Sequence, residues 1–166
     1  MRGSYSVDGR IERFSLVDGV YRSTDDAGDT LVLSDRLEAV VDGWEVRGGV
    51  VGSECLWVRG EDEHRAVAAG FTGPSPAYDV STARLLGLEV GDTMRLTLVE
   101  LTRPVGAAQT VRHGWARTEA AEPDVERYEV ADLDSGERWV LHVSSRAPAL
   151  LVSREGRWPA HLLTLT

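Results

Sequence analysis

Glu100, His113 and Tyr128 are the residues whose types suit acid–base chemistry. Glu100 extends by alternation the face that carries Met94, Leu96 and Leu98, and His113 shares one face of the stretch Gln109 to Thr118 with Val111 and Trp115. If the two stretches fold back symmetrically around Gly106, Glu100 and His113 meet nearly opposite each other, within cross-strand reach. A buried carboxylate beside an imidazole forms a general acid–base pair with displaced pKa values. Tyr128 adds a third proton-transfer group. The plainer alternative leaves Glu100 in water at a strand end and His113 as an ordinary core or surface histidine.

Ligand binding is the second chemistry the residues allow. Trp44, Trp57, Trp115, Trp139 and Trp158 stand against two phenylalanines, with Tyr78 and Tyr128 nearby in type. Tryptophan lines apolar pockets and offers one N–H to orient a polar group, although the same rings also fill β cores. The expected ligand contacts are Tyr78, Leu85, Leu98, Trp115 and Trp139. Asp79 and Arg84 are five residues apart and do not face each other on a helix. Asp79 in a first turn complements the helix dipole. Tyr78, Thr82, Leu85 and Leu86 fall on the apolar arc that would meet a core or ligand.

Other chemistries find no support. His64, His113, His142 and His161 lack metal-ligand spacing, and Glu61-Asp62-Glu63 reads as a solvated loop without calcium-loop spacing. No metal and no cofactor is expected. There is no GxSxG, phosphate-binding loop or dinucleotide fingerprint, and Cys55 has no base partner. As the lone cysteine it cannot form an intramolecular disulfide. The net charge of −9, with all 18 cationic residues arginine, disfavours nucleic acid and anionic lipid surfaces. No apolar run approaches the ~20 residues of a membrane span, and no signal core follows Met1-Arg2-Gly3-Ser4. A cytoplasmic location is the expectation.

The elements that must position these residues are mostly strands. At 166 residues and 42% hydrophobic content, one β-rich domain over 1–166 is expected. Asp8-Gly9, Asp18-Gly19 and Asp42-Gly43 are hairpin dipeptides, and turn signals recur about every ten residues. Arg10 to Leu16 alternates Ile11, Arg13 and Ser15 against Glu12, Phe14 and Leu16. Ser34 to Val41 has both helical and alternating character, with strand favoured. Arg65 to Phe71 reads as one buried strand. Ser75-Pro76 caps a single helix over Ala77 to Leu86, closed by Gly87. Two strands follow, broken at Thr102 to Gly106, and then a hairpin about Asp134-Ser135-Gly136. The fold expected is a curved antiparallel sheet of nine to eleven strands, a spiral β-roll or barrel-like container, with one central helix near residues 76–86.

Ser75-Pro76 and the run Arg84-Leu85-Leu86-Gly87-Leu88-Glu89-Val90-Gly91 carry a family resemblance. With the strand layout that follows, residues 74–166 resemble the glycolipid-binding family with a spiral β-roll fold. Arg84, Leu86, Leu88, Val90 and Gly91 keep the family's residue types. Asp79, Thr82 and Leu85 stand where that family carries asparagine, proline and arginine. The resemblance implies a spiral β-roll and binding of an amphipathic, lipid-like molecule, and no established chemistry. Three functions follow as expectations. The first is binding of an amphipathic lipid-like or polyketide-like small molecule in a β-lined apolar cavity. The second is a cyclase- or isomerase-type enzyme acting on a hydrophobic natural product there. The third is a protein-interaction module, with a homodimer through an exposed strand edge.

Overall fold

The computed structural model describes residues 1–101 and 108–166. In chain order the elements are β1 (Arg2–Val7), β2 (Arg10–Val17), β3 (Val20–Asp25), β4 (Thr30–Leu33), β5 (Arg36–Val41), β6 (Trp44–Val51), β7 (Glu54–Arg59), β8 (Asp62–Val67), β9 (Gly70–Thr72), α1 (Pro76–Leu86), β10 (Thr93–Leu101), β11 (Ala108–Thr118), β12 (Val125–Asp132), β13 (Arg138–Ser144), β14 (Leu151–Glu155) and β15 (Ala160–Leu165). Among the described residues α1 is the single α-helix, and no helix is long and apolar enough to cross a membrane.

All fifteen strands belong to one sheet, ordered β8-β7-β6-β5-β4-β3-β2-β1-β15-β14-β13-β12-β11-β10-β9. Each strand of the two runs β1–β8 and β10–β15 pairs antiparallel with its sequence neighbour. The tight turns explain this regularity. Asp8-Gly9, Asp18-Gly19 and Asp42-Gly43 each place both residues at positive φ, between 48° and 80°. That geometry matches the right-handed twist of a two-residue hairpin. The two runs join where β1 pairs β15, with Gly3 opposite Leu165 and Val7 opposite Ala160. β9 pairs β10 in parallel, with α1 as the crossover.

β8 and β9 sit at opposite ends of this order, yet only Ala68 and Ala69 separate them. Three residue steps span no more than about 11 Å, so the sheet must curl until its two ends meet. Among the described residues they meet by overlap and not through a backbone ladder. The Phe71 ring on β9 lies edge-on to Trp57 of β7 at 6.4 Å. Gly48 of β6 admits it, since a Cβ there would stand 3.0 Å from Phe71 Cζ. The sheet is therefore a curved, unclosed roll. Tyr5, Phe14, Tyr21, Leu37, Val46, Trp57, Val99, Trp115, Tyr128, Trp139 and Leu141 pack in one core cluster with Ala77, Tyr78 and Ala83 of α1.

The helix forms as its sequence dictates. Ser75 has extended backbone and its hydroxyl accepts from Ala77 N–H at 3.4 Å, Pro76 opens the first turn, and Gly87 ends it at φ 54°. Ser34 to Val41 supplies the strand β5. Several expectations are corrected. The nine to eleven strands expected are fifteen among the described residues: β1 and β3 are absent from that expectation, and the stretch that reads as one strand over Arg65 to Phe71 belongs to two. Asp62 and Glu63 belong to the edge strand β8, not to a loop. One face of an edge strand's backbone is unpaired, so charge there is tolerated and even protective. Arg65 to Phe71 is not one strand but the ends of β8 and β9 about the Ala68-Ala69 step. The break expected at Thr102 to Gly106 lies outside the described residues.

Candidate functional site

A cavity of about 520 Å³ opens where strands from both halves of the sheet meet the start of α1. Apolar contributions come from Val7, Leu31, Ala39, Val41, Leu101 and the faces of Tyr78 and Trp158. Polar ones come from Glu12, Ser23, Asp25, Glu100, Gln109 and Arg157, with Asp8, Arg10 and Asp29 also on its wall.

Glu12 and Glu100 are its two buried carboxylates, and their surroundings differ. Glu12 Oε2 accepts the Tyr21 hydroxyl at 2.5 Å and the Ser75 hydroxyl at 3.0 Å. Burial pushes the Glu12 carboxyl up, the two hydroxyls counter this, and Asp25 adds to the rise. Glu100 is 2% exposed. Its Oε1 lies 2.5 Å from Arg157 Nη2, and Oε2 accepts from Gln109 Nε2 at 3.4 Å. Arg157 also lies 3.9 Å from Asp132 and stacks over Trp158 at 4.0 Å. A guanidinium shared between two carboxylates and an indole face is a fixed cation.

Gly156 lets the chain reach that position. Its φ is +106°, and a Cβ there would meet the Arg138 carbonyl oxygen at 2.7 Å. Only glycine permits both the dihedral and the close approach to β13. Below it, the buried Arg154 binds three separate elements. It pairs with Asp79 of α1, donates from Nη2 to the Pro74 carbonyl at 2.6 Å and from Nε to the Trp158 carbonyl at 2.6 Å. Pro74 and Trp158 are cavity walls, so one guanidinium holds both and anchors the helix. Asp79 does stand in the first turn of α1, and it is in addition a buried ion-pair partner. Burial raises its carboxyl and Arg154 offsets part of that rise.

The expected acid–base pair does not form as a pair. Glu100 stands opposite Gln109, and His113 stands opposite Leu96 on β10 and Asp132 on β12. In the register of β10 and β11, His113 lies four residues along from Gln109, the partner of Glu100. Glu100 and His113 are both buried, at 2% exposure each. His113 packs edge-on against Trp139 at 5.0 Å, and its Nε2 has no hydrogen-bond partner among the described residues. Burial pulls its pKa down to about 4; Asp132 opposes the shift and Arg157 adds to it. It is therefore a neutral imidazole at pH 7. Tyr128 packs against Trp115 at 5.5 Å and donates its hydroxyl to Glu126 at 3.1 Å, with burial pushing its pKa up to about 12.

Of the expected ligand contacts, Tyr78 lines the cavity. Leu98, Trp115 and Trp139 are buried, and none is on the cavity wall. Leu85 is 59% exposed and borders a separate cleft of about 170 Å³ beside β4 and β5. The eleven-residue helix buries Tyr78, Asp79, Thr82 and Ala83, and Leu85 falls beyond the edge of that face. Trp44 is half exposed, with Arg59 over its ring at 4.4 Å. Among the described residues no group of three or more His, Cys, Asp or Glu could hold a metal.

Sequence reasoning missed Glu12, Asp25, Arg154 and Arg157. Glu12 left a readable trace: a carboxylate on the same alternating face as Phe14 and Leu16. Arg154 and Arg157 left none, because their partners are 75 and 57 residues away in the chain.

No family model and no curated protein matches this sequence. A crystal structure of a DUF1089 family protein from Pseudomonas aeruginosa does match in shape. The TM-score is 0.55 at 16% identity, over 89% of this chain and 86% of that one. The two chains share a fold. At this identity the likeness concerns the path of the rolled sheet and says nothing of a ligand.

Proposed function

We propose that the protein binds an amphipathic small molecule in the cavity between the two halves of its sheet. The supporting observation is the cavity itself: about 520 Å³, within the size range of small-molecule sites, with apolar and hydrogen-bonding walls side by side. The lining differs from the purely apolar container expected from the tryptophans. Leu31, Ala39, Val41 and Leu101 would take an apolar portion, and Glu12, Ser23, Gln109 and Arg157 a polar one. Binding of this kind needs rigid walls, and the Arg154 contacts supply rigidity at the junction of helix and sheet. The acid–base alternative keeps Glu100 on the cavity wall, while His113 and Tyr128 lie away from it.

Native mass spectrometry followed by denaturing extraction tests this reading. A lipophile with a polar group should leave with the protein, and Val41→Trp, which places an indole at the cavity wall, should abolish its retention. A cavity variant that retains the same molecule at the same level would place the ligand elsewhere.

A further inference from the structure

Resting on that binding reading, we propose that the ligand is a cation: an amphipathic amine whose ammonium sits against Glu12 and Asp25, with its apolar part along Leu31, Ala39 and Val41. Glu12 and Asp25 stand directly opposite each other on β2 and β3, so their side chains share a face, and both line the cavity. Like charges at directly opposed positions are unfavourable in a sheet. Here one of the two is only 7% exposed. Asp25 spends Oδ1 on the N–H groups of Ala27 and Asp29. Glu12 spends Oε2 on two neutral hydroxyls, and its Oε1 makes no hydrogen bond among the described residues.

Arg154 offsets part of the burial cost on Glu12 from a distance, but among the described residues no arginine forms an ion pair with Glu12 or Asp25. Arg154 is committed to Asp79 and two carbonyls, Arg157 to Glu100, and Arg10, exposed at the cavity wall, makes no ion pair among the described residues. A guest ammonium would bring the missing donor and charge together. Tyr78 on the cavity wall offers an aromatic ring suited to a cationic group, whereas the Trp158 ring already carries Arg157. A metal ion fits less well, because no three ligating side chains converge among the described residues. The net charge of −9 would also draw cations toward an acidic concavity.

Calorimetric titration with three amphiphiles of equal chain length, kept below micelle formation, tests the proposal. The probes are octylamine, octyl glucoside and octanoate. Octylamine should bind at least tenfold more tightly than octyl glucoside, with octanoate weakest. Glu12→Gln and Asp25→Asn should each collapse the octylamine preference toward unity. Asp25→Asn keeps a carbonyl for Ala27 and Asp29, so it carries the test if Glu12→Gln does not fold. Octyl glucoside binding as well as octylamine, or a preference untouched by both substitutions, overturns the cation and leaves the binding reading standing. If none of the three binds and no lipophile is extracted, the binding reading falls and the proposal with it.

Discussion

His113 illustrates how a residue chosen for chemistry can serve the core instead. It is neutral, has no partner at Nε2 among the described residues, and packs on Trp139. Its pKa lies near 4 in the fold and near 6.5 in the unfolded chain. Between these values the unfolded chain holds a proton that the folded one refuses. Stability is therefore full above about pH 6.5 and falls as pH drops toward 4, by on the order of 2–3 kcal/mol. Glu12, raised by burial, contributes with the opposite sign, so the comparison with a variant isolates the histidine. Urea denaturation across pH 4 to 7 should show the loss in the difference curve between wild type and His113→Gln, the variant itself lacking that contribution. A variant with the same pH slope would show that the imidazole does not carry it.

At the scale of elements, α1 is tied to β14 and the turn after it by Asp79 and Arg154. Both side chains are buried, and removing one leaves the other charge without compensation. Arg154→Met should cost about 3–5 kcal/mol, and Asp79→Asn somewhat less. The double variant Asp79→Leu/Arg154→Met should recover most of the loss, because an apolar pair incurs no desolvation cost. Equal losses in the single and double variants would mean that the contacts to Pro74 and Trp158 dominate. The elements themselves were largely legible. Asp-Gly turns, alternation and the capped helix are local signals, and each works within about ten residues. What the sequence hid was partnership between distant elements. Nothing near Asp79 announces Arg154, and a register shift of a few residues was enough to separate Glu100 from His113. The candidate site suffered most, because its walls come from β2, β3, β5, β10 and the β14–β15 turn, and composition alone made it look aromatic.

At the scale of the molecule, the fold is two runs of adjacent hairpins and one seam. Hairpin contacts close quickly, whereas β1 and β15 must find each other across the length of the chain. This seam, with Ser4 Oγ at 2.7 Å from Thr164 Oγ1 and the Tyr5 hydroxyl reaching past β15 to donate to the Leu151 carbonyl of β14 at 2.9 Å, should therefore assemble after the rate-limiting barrier. Tyr5→Phe should accelerate unfolding in stopped-flow experiments while leaving the refolding rate nearly unchanged, a φ-value close to zero. A slower refolding limb would instead make the seam part of the nucleus. On the first outcome, the cavity walls contributed by β2 and β3 and those contributed by β10 and β11 face each other only in the last step. The binding site would then be the final part of the molecule to come into existence.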